Sequence, residues 1–168
     1  EANKECIGTD VSTVRIPKLK VHGARLFVKS NGTTDFTYGG IKNVDVLELA
    51  QRNYNEGGYI CSTRGIAVYA DKYMKIDVQK RANYIKSSTG HSIYCNTTAS
   101  LEIEGHIVDN EIPTLYVQQS SNVSYGAIMT SGNVMFKTLS AYLSGDKYAL
   151  SGSGKNTIAF ASNMQSHS

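Results

Sequence analysis

Short alternations of apolar and polar residues, separated by turn-forming residues, run along most of the chain. Between positions 73 and 78, Met74, Ile76 and Val78 alternate with Lys75 and Asp77, the pattern of a strand with one face in a core and the other in water. Comparable runs recur about every ten residues, with turn signals between them. This rhythm predicts an antiparallel sandwich or a barrel.

The segment 120–161 carries few charges and is punctuated by Ser-Gly pairs at 131–132, 144–145, 151–152 and 153–154. Apolar, aromatic and Ser/Thr residues fill the runs between these pairs, a composition typical of strands. We expect this segment to form one sheet of the sandwich, as scaffold.

Two hairpins are predicted in the first half of the chain. Residues 25–30 and 33–38 flank Asn31-Gly32, the preferred pair for a two-residue turn whose central residues need positive φ. Residues 65–69 and 73–78 flank Ala70-Asp71-Lys72, which fits a three-residue link.

One short α-helix is predicted near 45–56. Asp45 and Glu48 have the spacing of a capping box, and Gly57-Gly58 would end the helix. The residues at helical spacing on one face are Val46, Leu49, Ala50 and Tyr54.

The fold class predicted from these elements is mainly β: a single domain over residues 1–168, built as an antiparallel β-sandwich of jelly-roll or immunoglobulin-like type with one short helix. The alternative is an α+β domain whose helix lies across one curved sheet.

Composition limits the function classes. Apolar residues make up 40% of the chain, charged residues 18%, and the net charge is +3, which argues weakly against a dedicated nucleic-acid-binding protein. No apolar run reaches the roughly 18 residues of a membrane span. Basic residues interleaved with tyrosines nevertheless keep a polyanion partner open, although a solvated face is the favoured interpretation. These basic residues are Arg15, Lys18, Lys20, Lys72, Lys75, Lys80, Arg81 and Lys86.

Cysteine usage leaves two interpretations. Cys61 and Cys95 each lie in a strand-like run, so a disulfide between them is the preferred pairing, with Cys6 left as a free or intermolecular thiol. Such a bond, together with the absence of an initiator Met, would fit a secreted or cell-surface protein. The alternative is three reduced cysteines in a cytosolic protein.

Motifs for catalysis or cofactor binding fail on inspection. Residues 152–157 resemble a phosphate-binding loop, but Ala149 and Asn156 stand where Gly and Ser or Thr are required. Ser144 and Lys147 fit Ser-x-x-Lys, yet Gly145-Asp146 predicts a turn and not the helix that this chemistry needs. The four histidines form no paired metal motif. We therefore predict no catalytic residue, no metal and no cofactor.

The favoured function is a non-enzymatic, secreted or surface recognition domain, such as an adhesin, a receptor-binding module or a pathogen effector. It would bind a host protein or glycan through loops rich in Tyr, Asn and Ser, at 87–92, 109–111 and 118–125. The predicted contact residues are Tyr84, His91, Tyr116 and Tyr125.

Two other classes stay open. The uncharged C-terminal segment would suit a structural subunit that forms homo-oligomers by strand exchange or edge pairing. A hydrolase would need a site assembled from distant segments, with His91, His106 and the pair Glu102 and Glu104 as candidates.

Overall fold

The computed structural model describes residues 2–3, 6–7, 16–23, 25–29, 40–42, 44–51, 57–80, 82–119, 124–137, 140–152, 158–160 and 165–167. Every regular element in these ranges is a β-strand, and every strand pairing between named strands is parallel. Each strand pairs with the strand three places further along the chain, so the chain winds as a β-solenoid with three sheets.

Sheet I contains seven strands, which are β1 Ala2–Asn3, β4 Arg25–Lys29, β7 Tyr59–Arg64, β10 Ala82–Ser87, β13 Thr114–Gln119, β16 Ser140–Ser144 and β19 Gln165–His167. Sheet II contains six, which are β2 Cys6–Ile7, β5 Gly40–Ile41, β8 Val68–Ala70, β11 Ile93–Cys95, β14 Ile128–Thr130 and β17 Leu150–Gly152. Sheet III contains six, which are β3 Ile16–His22, β6 Val44–Ala50, β9 Tyr73–Gln79, β12 Ser100–His106, β15 Asn133–Lys137 and β18 Ile158–Phe160.

The core is built from rows of apolar residues that lie at matching positions in successive turns. Because side chains alternate along a strand, one inward position per turn stacks on the same position of the next turn. The central row of sheet III is Leu47, Ile76, Ile103 and Phe136, all fully buried. Sheet II contributes Val68, Ile93 and Ile128. Burial of these rows is the main stabilising contribution to the fold.

The predicted antiparallel sandwich is therefore wrong. The alternation that suggested it is present, but it is the alternation of solenoid strands with one face inside and one outside. The predicted hairpin across 70–72 is a corner instead, because β8 and β9 belong to different sheets. In the other predicted hairpin, β4 pairs in parallel with β1 and β7, while Asn31-Gly32 lies outside the described residues.

The predicted helix at 45–56 is also wrong over its described part. Residues 44–50 form strand β6, in which Leu47 and Leu49 are buried while Val46 is only half-buried. Glu48 is not a helix cap, since its carboxylate accepts from His22 of the preceding turn. Tyr54 lies outside the described residues. The α+β alternative is wrong as well, because it requires that helix.

Corners between sheets are held by polar side chains and close backbone approach. Gly40 has φ of +66°, and a Cβ there would lie 2.1 Å from the carbonyl oxygen of Ala67. At the corner between sheets I and II, Ser87 donates to the carbonyl of Gly65 at 2.6 Å, and its backbone NH donates to Ser92 Oγ at 2.9 Å. Buried hydroxyls thus satisfy backbone groups that the strand ladders leave unpaired.

Candidate functional site

A row of stacked tyrosines crosses the outer face of sheet I. Successive ring centroids lie 5.4 Å apart for Tyr59 and Tyr84, 4.8 Å for Tyr84 and Tyr116, and 4.7 Å for Tyr116 and Tyr142. The last two pairs are nearly parallel, with interplanar angles of 12° and 13°. We call these four residues the Tyr ladder.

Strand register explains the Tyr ladder. The four tyrosines are direct partners in successive parallel strands, and parallel strands lie about 4.8 Å apart. Since side chains stand roughly perpendicular to a sheet, stacking occupies the ring faces and leaves ring edges and hydroxyls directed outward. At the start of the ladder, the Arg25 guanidinium lies 5.2 Å from the centre of the Tyr59 ring.

A polar row runs beside the Tyr ladder, two positions further along each strand. It consists of Cys61, Lys86, Gln118 and Ser144. Burial raises the pKa of the Cys61 thiol, although the positive charges of Lys86 and Arg25 oppose that rise. Cys61 is therefore a neutral thiol at pH 7, beside two cations.

A second aromatic group surrounds His91, in the corner that joins sheets I and II. Its ring centroid lies 5.1 Å from that of Tyr125, 6.0 Å from that of Tyr148 and 6.1 Å from that of Tyr94. We call these four residues the His91 cluster. His91 Nδ1 accepts from the backbone NH of Gly126 at 3.3 Å and lies 3.4 Å from the Tyr148 hydroxyl.

The rings of His91 and Tyr148 are uncharged near neutral pH. Burial lowers the pKa of His91, and the nearby charge of Lys147 acts in the same direction. Burial also raises the pKa of Tyr148. Both rings therefore stay uncharged at pH 7. Beyond Tyr94, Tyr69 stacks at 5.3 Å and Lys42 lies 5.1 Å from the centre of the Tyr69 ring.

The predicted contact residues thus form two pairs. Tyr84 and Tyr116 are neighbours in the Tyr ladder, and His91 and Tyr125 meet in the His91 cluster. Of the predicted loops, 87–92 forms the corner that carries His91. The loop 109–111 connects sheets III and I, where Lys80 pairs with Asp109 at 3.0 Å. Residues 120–123 of the third loop lie outside the described part.

Sheet III has a different surface, made of ion pairs. Lys75 pairs with Glu104 and Lys137 with Glu102, each at 2.8 Å. His22 pairs with Glu48, and His106 with Asp77, each at 2.6 Å. Lys18 adds a longer contact to Glu48 at 3.6 Å.

These ion pairs engage Glu102 and Glu104, the two carboxylates that the hydrolase hypothesis requires. The hydrogen bond from Lys75 lowers the pKa of Glu104, whereas a general acid needs a raised one. A groove of about 450 Å³ on sheet III is lined by Ser100, Leu101, Glu102, Asn133, Val134, Met135 and Lys137. It contains one carboxylate and neither His91 nor His106.

The predicted Cys61–Cys95 disulfide is wrong, because both thiols are free. Cys61 faces outward on sheet I, while Cys95 lies in the core on sheet II, with Sγ 3.6 Å from the carbonyl oxygen of Asn133. The prediction of a secreted protein therefore loses the support that this bond would have given. The side chain of Cys6 lies outside the described part.

The basic residues named from the sequence lie on more than one sheet. Lys18, Lys20 and Lys75 are on sheet III, and Lys86 is on sheet I. Arg15 and Arg81 lie outside the described residues. Within the described ranges, no three His, Cys, Asp or Glu side chains are grouped to hold a metal ion. The same ranges contain no helix that could cross a membrane.

Comparisons with protein families, with curated proteins and with solved structures found no match to this chain. The site must therefore be interpreted from its own chemistry.

Sequence reasoning missed Tyr59, Tyr94, Tyr142 and Tyr148. Each completes a row or cluster that the solenoid register creates. The available signal was the count of 11 tyrosines against 4 phenylalanines and no tryptophan, but only the register assigns these residues to rows.

Proposed function

We propose that the protein is a non-enzymatic recognition domain that binds a linear polysaccharide along the outer face of sheet I. The observation that carries this proposal is the Tyr ladder, above all the 4.8 Å and 4.7 Å steps between Tyr84, Tyr116 and Tyr142. A repeating row of groups on the protein suits a ligand that itself repeats along one direction.

The chemistry of the row favours a polyhydroxylated ligand. Phenol hydroxyls both donate and accept hydrogen bonds, and Gln118 beside them adds an amide with both capacities. The ring edges offer apolar contact at low entropic cost, since a tyrosine has two side-chain torsions. Sugars combine hydroxyls with apolar CH surfaces, so they match both parts of this face.

Rigidity supports the same function. Each ring of the ladder is held by its neighbours, and the strands beneath it carry the fully buried residues Ile60, Ile85 and Val117. A surface that is ordered before binding avoids the entropy cost of ordering side chains in the complex.

Stacked tyrosines also stabilise a solenoid, and the test must separate that effect from binding. Tyr116→Phe keeps the ring and removes the hydroxyl, so it retains stacking while deleting the proposed contact. Tyr73→Phe is the matched control, because Tyr73 is half-exposed on sheet III, away from the proposed face.

Immobilised polysaccharides of varied composition, neutral and acidic, would be screened with the wild-type chain and both variants. We expect at least one polysaccharide to bind, Tyr116→Phe to weaken binding by roughly five-fold, equivalent to one hydrogen bond of about 1 kcal/mol, and Tyr73→Phe to bind like wild type. Absence of any binding, or equal binding by Tyr116→Phe, contradicts the proposal.

A further inference from the structure

Carboxylates are segregated to one of the three sheets. The described strands of sheets I and II contain no Asp or Glu at all. All five strand carboxylates lie on sheet III, and they are Asp45, Glu48, Asp77, Glu102 and Glu104. The remaining described acids are in corners: Asp71, Asp109, Glu111 and Asp146.

Positive charge on sheet III is matched by these carboxylates. Lys18 is near Glu48, Lys75 is paired with Glu104, and Lys137 with Glu102. An anion approaching sheet III would meet lysines that are already engaged and carboxylates that repel it.

The described strands that carry positive charge on sheet I contain no Asp or Glu. Lys86 lies in the row beside the Tyr ladder, between Cys61 and Gln118. Arg25 lies at the start of the ladder over Tyr59. Both cations act on the same point of this face, since both lower the pKa of the Cys61 thiol electrostatically.

The His91 cluster extends this surface around the corner to sheet II. Lys147 acts on His91 electrostatically, and the exposed Asp146 is its chain neighbour. Further along, Lys42 lies over Tyr69. Aromatic edges and cations therefore run together along sheet I and the adjoining corner.

We infer that the polysaccharide bound by sheet I is anionic, of the uronate class, with its carboxylates placed on Lys86 and Lys147 while its hydroxyls contact the Tyr ladder. This inference rests on the proposed function and names the ligand class for the same face. Charge complementarity carries it: Lys86 lies beside the Tyr ladder, the described strands of sheets I and II contain no Asp or Glu, and sheet III offers paired charges.

The experiment compares each uronate polysaccharide with its own methyl ester, which keeps the backbone and removes the charge. Alginate, polygalacturonate and hyaluronan would be titrated with wild type, Lys86→Gln, Lys147→Gln and the control Lys72→Gln. Lys72 is exposed in the corner between sheets II and III. Circular dichroism would verify that each variant is folded, and two separate sheet I variants keep the test valid if one fails to fold.

We expect the free acid to bind at least ten-fold more tightly than its ester, with affinity falling as salt rises. Each of Lys86→Gln and Lys147→Gln should weaken binding of the free acid by about five-fold, the equivalent of roughly 1 kcal/mol per charge contact, and leave the ester unchanged. Lys72→Gln should match wild type.

Equal affinity for acid and ester would overturn this inference while leaving polysaccharide binding intact. Binding of neutral polysaccharides alone would do the same. A polyuridylate chain that binds as tightly as the uronate polymer would overturn it by showing general polyanion binding. If nothing in the panel or the earlier screen binds, the proposed function fails and the inference with it.

Discussion

The rings of Tyr84 and Tyr116 stack with centroids 4.8 Å apart and planes 12° apart, although 32 positions separate the two residues in the chain. Tyr59 precedes Tyr84 by 25 positions, and Tyr142 follows Tyr116 by 26. The turns of the solenoid therefore differ in length while their strands stay in register. Loop insertions at the corners absorb the difference, and the aromatic row stays continuous.

The Tyr ladder makes a prediction about stability. Tyr116→Ala removes a half-buried ring stacked on both sides, so we expect the free energy of unfolding to fall by about 1–3 kcal/mol. Tyr116→Phe should change it by less than about 0.5 kcal/mol, because the stacked ring is retained. Urea denaturation followed by circular dichroism measures both. An equal loss in the two variants would show that the hydroxyl, and not the ring, holds the row.

Glu48 gives the fold a pH dependence on the acid side. Burial acts to raise its pKa, but the hydrogen bond from His22 and the charges of His22, Lys18 and Lys20 outweigh that effect, so the pKa is lowered. A carboxyl whose pKa is lower in the folded than in the unfolded state adds stability above its unfolded pKa of about 4.3. That stability is lost as the pH falls through the lowered folded pKa.

Glu48→Gln should therefore lower the free energy of unfolding by about 1–3 kcal/mol at pH 7, because it breaks charged hydrogen bonds at a buried position. The difference from wild type should shrink as the pH falls below about 4. Thermal unfolding across pH 3–7 tests this, with Asp146→Asn, exposed in a corner, as the control. A gap that stays constant with pH would argue against the lowered pKa.

Gly90 should be the most restrictive position of the corner that carries His91. A Cβ there would lie 2.6 Å from the backbone carbon of Gly65 in the preceding turn. Gly90→Ala must displace one of two stacked backbones, so we expect a loss of about 1–3 kcal/mol. Ser88→Ala in the same corner is the control and should cost less than about 0.5 kcal/mol. Similar stability of the two variants would show that the corner is not closely packed.

The cysteines provide a direct check on the topology. In a Cys6→Ser variant, both remaining thiols should react with iodoacetamide after unfolding without reductant, since neither is in a disulfide. In the folded protein the buried Cys95 should react far more slowly than the half-buried Cys61. An intact mass two hydrogens lower, with no alkylation until reduction, would restore the Cys61–Cys95 bond and contradict the solenoid.

Strand content was predictable from the sequence, whereas strand pairing was not. Alternation at 73–78 identified β9 correctly, because the side-chain period of a strand is the same in any sheet. The direction of pairing depends on which strands meet. Repeats would have shown this, but the steps of 25, 32 and 26 positions between Tyr59, Tyr84, Tyr116 and Tyr142 hide them.

The helix prediction at 45–56 was wrong for a related reason. Val46, Leu49 and Ala50 fit a helical period, but Leu47 and Leu49 fit a strand equally well, as short apolar runs often do. The hydrogen bond between Glu48 and His22 joins two turns of the solenoid, and it is incompatible with a helix cap at Glu48. Nothing in the local sequence around 45–50 indicates this bond. Edge pairing between molecules stays a prediction, to be tested by the concentration dependence of the mass in solution.

Isothermal titration calorimetry with the tightest polysaccharide of the screen tests the central claim most directly. It would compare wild type with the triple variant Tyr84→Phe, Tyr116→Phe, Tyr142→Phe, which keeps every ring. Loss of three hydrogen bonds of about 1 kcal/mol each predicts a fall in affinity of roughly 100-fold, at unchanged thermal stability. Equal affinity of the two proteins would contradict the account, because the hydroxyl row of sheet I would then have no part in binding.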